Sequence, residues 1–133
     1  MWGKRWLSQL QTHDPEPIER ALEDVQRVPP GQPLDAEAVR RGLAACEVVA
    51  ASAGRPAEAL PVAAHGLAER HAHRLSPLRR KARAVLNRIR SRPEDEVDPH
   101  DLYDEPDAAI EQADDDALDW RTDMDLLDRR LAD

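Results

Sequence analysis

Four groups of residues in this 133-residue sequence have types and spacings that suggest chemistry. His65, Glu69 and His73 recur at i, i+4 and i+8, which puts three zinc-type donors on one helical face, with His71 beside them. Gly66 follows His65 and no Cys accompanies them, so the set reads as histidines on a solvated face rather than a metal centre. Asp115-Asp116-Ala117-Leu118-Asp119 matches an aspartate-rich magnesium-diphosphate pattern. Such a site needs a large helical cavity, and acids that open a helix and complement its dipole already explain these residues. Asp95, Asp98, Asp101 and Asp104 recur every third residue, but a calcium loop needs oxygens at alternate residues, a Gly at its bend and a closing Glu. Cys46 sits in the apolar run Ala44-Ala45-Cys46-Glu47-Val48-Val49-Ala50 and reads as a buried, inert thiol. With no Gly-rich phosphate loop, no Gly-x-Ser-x-Gly elbow and no useful Cys/His pairing, the expectation is a protein without catalytic residues, metal or cofactor.

Charge carries the strongest signal. The chain has 19 Lys+Arg and 27 Asp+Glu, net -8. Residues 1–93 hold 16 basic and 10 acidic residues, whereas residues 94–133 hold 3 and 17, so a body of net +6 precedes a tail of net -14. From 70 to 92 there are nine Lys+Arg and no acid. An acidic surface of this density suits rapid encounter with a basic protein partner. The residues expected to meet that partner are Asp98, Asp101, Asp104, Glu105, Asp107, Asp114 and Asp115, with Tyr103 as an aromatic anchor. The alternative is a nucleic-acid-associated regulator that uses Arg79, Arg80, Lys81, Arg83, Arg88 and Arg90, with the acidic tail as autoinhibitor. Nucleic acid is the weaker expectation, because no aromatics interleave these cations and the attached tail competes for them. A third outcome is that tail and basic helix pair within the chain.

The elements that must position these residues are helices. Charged residues make up 35%, the apolar set 41% and aromatics 3%, with no Phe, so the core is built from Ala, Leu and Val. Helical periodicity and Pro/Gly punctuation predict a first segment over 2–11 and a second over 15–28, with Asp14 as N-cap and Ile18, Ala21, Leu22 and Val25 as its buried stripe. Asp35 caps a third, over 36–53, apolar nearly all round in its second half and ended by Gly54. A fourth runs over 57–74, broken or restarted at Pro61. Ser76-Pro77 reads as N-cap and first-turn proline of a fifth, with Leu78, Ala82, Val85, Leu86 and Ile89 inward. Short turns are expected at 101–103 and 108–112, and a last helix over 115–132 with the stripe Trp120, Met124, Leu127 and Leu131. The fold expected is all-α: a single-domain bundle of five to seven helices over 1–133. It divides into a basic body (1–93), an acidic, partly irregular, Pro-containing connector (94–113) and a C-terminal helix (114–133) that docks on the body.

One Cys excludes an internal disulfide, and the longest uncharged stretch, residues 59–68, is far shorter than a membrane span. No apolar segment follows the basic start, so the expectation is a cytoplasmic protein, and 17 Arg against 2 Lys suits a GC-rich bacterial genome. Trp2, Trp6 and Leu7 serve either the core of a monomer or a homodimer contact.

Gly42-Leu43-Ala44-Ala45-Cys46-Glu47-Val48-Val49-Ala50-Ala51, followed by Gly54-Arg55-Pro56 and Leu60-Pro61, resembles the central helix and turn of a family of small bacterial helical proteins grouped as a domain of unknown function. Leu102-Tyr103-Asp104-Glu105, Trp120 and Asp125-Leu126-Leu127-Asp128-Arg129-Arg130-Leu131 look like that family's closing elements, so the likeness covers about residues 34–131. Only Trp2-Gly3 remains of the family's Gly-Thr-Trp-Gly opening. The resemblance implies an all-helical fold without established catalytic residues, and an association with immunity proteins encoded beside bacterial toxins.

Overall fold

The computed structural model describes residues 4–11, 14–29, 32, 34–55, 60–90 and 124–132. They form a helical bundle with no strand among them. α1 (Lys4–Ser8) is shorter than its expected segment and docks through fully buried Leu7, with Trp6 packed against the same core. α2 (Glu16–Arg27) buries the expected stripe Ile18, Ala21, Leu22 and Val25. Its N-cap is Pro15 in the helical region rather than Asp14. Asp14 is one residue too early to cap through the third helical N–H, and instead its Oδ1 accepts from the Glu16 N–H at 3.0 Å.

α3 (Ala36–Ser52) starts as the sequence demands. Asp35 is extended at φ -67° and ψ 139°, and its carboxylate accepts from the Ala38 N–H at 3.3 Å. Every residue from 42 to 50 is buried, which makes α3 the centre of the bundle, with α2 against one side. Gly54 ends the helix at φ +87°, a left-handed turn in which a Cβ is strained. The Gly54 N–H donates to the Ala51 carbonyl and the Arg55 N–H to the Ala50 carbonyl, each at 3.0 Å, the paired bonds of a Schellman close.

α4 (Val62–Arg70) begins directly after Pro61, and the residues expected to be helical before that proline, 57–59, lie outside the described residues. The chain breaks again at His71 (φ -116°, ψ 29°), before α5 (Ala72–Leu75), a break the sequence did not announce. Ser76 is not an N-cap. It is helical, at φ -61° and ψ -32°, and a 3-10 turn, Ser76–Leu78, carries the chain directly into α6 (Arg79–Arg90). Proline at 77 removes an N–H, and the tighter turn accommodates that without an end to the helix. α6 buries Ala82, Val85, Leu86 and Ile89 against α3 and α2. Residues 124–131 are helical, with Met124, Leu127 and Leu131 buried; Trp120 and the expected start at 115 lie outside the described residues, as do the turns at 101–103 and 108–112. Among the described residues no helix is long and apolar enough to cross a membrane.

Gly42 sets how closely the three longest elements approach. A Cβ there would lie 2.8 Å from Val25 Cγ2, 3.5 Å from Val85 Cγ1 and 3.7 Å from Ile89 Cδ1. Gly42→Ala gains about 1 kcal/mol of helix propensity, but overpacking costs about 1–3 kcal/mol, and Val25 is buried with a stiff χ1. The expected result is a Tm lowered by about 2–5 °C in thermal unfolding; an increase would show that α2 yields. Cys46 is fully buried, with its thiol 3.4 Å from the Ala82 carbonyl oxygen. Burial, and then the charge of Glu47, push the thiol well above its ordinary range. A thiol reagent is therefore expected to label Cys46 no faster than the chain unfolds, and labelling of folded protein within seconds would contradict the packing.

Candidate functional site on the basic face of α6

Two features of the C-terminal segment determine what the basic face of α6 can do. The first is a buried carboxylate. Glu47 lies mid-way along α3, 2% exposed, the one charged residue buried among the described residues. Arg130 meets it with both guanidinium nitrogens, Nη1 to Oε2 at 2.6 Å and Nη2 to Oε1 at 3.0 Å. A forked pair of this kind is strong and fixes direction as well as distance. The second is a cap. Arg55, placed by the Schellman turn, donates from Nη1 to the carbonyls of Arg129 (3.3 Å) and Ala132 (3.0 Å) in the last turn of that helix, where the Arg129 carbonyl also accepts from the Ala132 N–H at 3.3 Å.

Docked this way, the C-terminal helix presents its acids to α6. Arg83 Nε donates to Asp128 Oδ1 at 3.1 Å, and Arg90 Nη2 to Asp125 Oδ1 at 2.7 Å, with Arg90 Nη1 3.9 Å from Asp128 Oδ2. α2 supplies further acids: Lys81 reaches Glu23 at 3.5 Å, and Arg74 makes paired bonds to Glu19 at 3.2 and 2.9 Å, which raise its already high pKa. Arg88 Nη2 donates to the Gln32 carbonyl at 2.9 Å, pinning the loop after α2, while its Nε is buried without a partner. Of the six cations named for nucleic-acid binding, Lys81, Arg83 and Arg90 are thus in ion pairs and Arg88 is held by a loop.

The remaining two, Arg79 and Arg80, join Arg83 in lining an open groove of about 450 Å³, with Ser76, Pro77 and Leu131 completing its wall. Ser76, Arg79, Arg80 and Arg83 follow the i, i+3, i+4, i+7 spacing of one helical face. The groove opens where the C-terminal helix ends and the basic stripe runs on.

The acidic residues expected to meet a partner, Asp98, Asp101, Tyr103, Asp104, Glu105, Asp107, Asp114 and Asp115, lie outside the described residues. The histidine set does not converge: His65 Nδ1 lies 3.5 Å from Glu69 Oε1 on an exposed face, and among the described residues no group of three His, Cys, Asp or Glu could hold a metal. Sequence reasoning missed the Glu47–Arg130 pair. Its signal was present, since one carboxylate inside an apolar run requires a partner, and Arg129 and Arg130 follow in the only amphipathic stretch of the tail. No family model, curated protein or solved structure matches this chain.

Removing Arg130 leaves Glu47 as an uncompensated buried charge. Arg130→Met is expected to lower stability by about 2–4 kcal/mol, short of the full cost of a wholly buried pair because Arg130 is partly exposed. Arg129→Met, one residue away at an exposed position, is expected to change stability by less than about 0.5 kcal/mol. Urea unfolding of the two variants measures the difference, and equal losses would contradict the assignment.

Proposed function

We propose that the protein is a non-enzymatic interaction module, an inhibitor of the immunity or antitoxin type, whose acidic residues between 94 and 123 cover a cationic surface on a protein partner. The observation that carries this reading is the distribution of charge along the chain. Several cations of the body are engaged within the chain, Arg74 by Glu19, Lys81 by Glu23, Arg83 by Asp128 and Arg90 by Asp125, and Arg130 of the C-terminal helix is engaged by Glu47. Residues 94–123 contain fourteen Asp and Glu and a single basic residue, Arg121. That excess is more than the neighbouring basic helix can neutralise.

The mechanism is steric and electrostatic. Negative potential accelerates encounter with a basic surface, and the helical body, once docked, keeps that surface from its own ligand. Asp98, Asp101, Asp104, Glu105, Asp107, Asp114 and Asp115 supply the charge, and Tyr103 supplies an aromatic contact. The engagement of Lys81, Arg83, Arg88 and Arg90 inside the fold weighs against the nucleic-acid reading, because a phosphate backbone would have to displace existing partners. The immunity assignment draws on the family resemblance, and a bacterial cytoplasmic setting belongs to the same reading.

The test uses the full chain as bait, identifies the captured basic protein by mass spectrometry, and measures association kinetics. Replacing Asp98, Asp101, Asp104 and Glu105 by Lys is expected to slow association by about tenfold or more at low salt and to flatten its salt dependence. An unchanged rate and salt slope would overturn the reading.

A further inference from the structure

No further inference is drawn: the strongest candidate, the open groove between α1 and α3 beside half-buried Trp6, has its cations engaged within the chain, Arg41 by Glu37 and Arg5 and Arg40 through interactions of their own, and nothing in the structure shows what covers it.

Discussion

A carboxylate buried at the centre of the bundle is the constraint on which the rest of the structure depends. Glu47 occupies a position on α3 where all its neighbours in sequence, from 42 to 50, are also buried. An ionised side chain there is tolerated only with a partner that satisfies both oxygens. Arg130 does so from the far end of the chain, 83 residues away. The C-terminal helix is thereby fixed in position and in rotation about its axis, so that Met124, Leu127 and Leu131 face the core while Asp125 and Asp128 face α6. Apolar burial of Met124, Leu127 and Leu131 supplies most of the docking energy, and the forked pair adds direction to it.

The same geometry links the turn after α3 to the site. Gly54 permits the left-handed close, the close sets the direction of Arg55, and Arg55 caps the helix that Arg130 anchors. That helix contributes Leu131 to the wall of the groove at Arg79, Arg80 and Arg83. A change at Gly54 or Glu47 would therefore be felt at a surface neither residue touches.

Much of the fold was legible in the sequence because the physical signals were local. The stripe of α2, the Asp35 cap, the all-round burial of α3 and its end at Gly54 each follow from residue spacing and side-chain chemistry over a few positions. The misplaced features were those where competing local signals were close in energy. Ser76-Pro77 has the chemistry of a helix start, but a 3-10 turn lets the helix run through it, and the break at His71 falls where no Pro or Gly marks it. Charge segregation was visible at once, whereas the pairing of Arg83 with Asp128 and of Arg90 with Asp125 depends on the rotation of a distant helix. Glu47 was visible as an anomaly and its partner was not, since an apolar run says that a charge must be matched but not by which residue.

The most direct measurement of the central claim is native-state hydrogen exchange across α3 and residues 124–131. If the Glu47–Arg130 pair and the apolar stripe make the C-terminal helix part of the cooperative core, the amides of Asp128, Arg129, Arg130 and Leu131 exchange with opening free energies within about 1–2 kcal/mol of those in the middle of α3. Exchange of those amides several orders of magnitude faster than the centre of α3, with α3 itself fully protected, would contradict it.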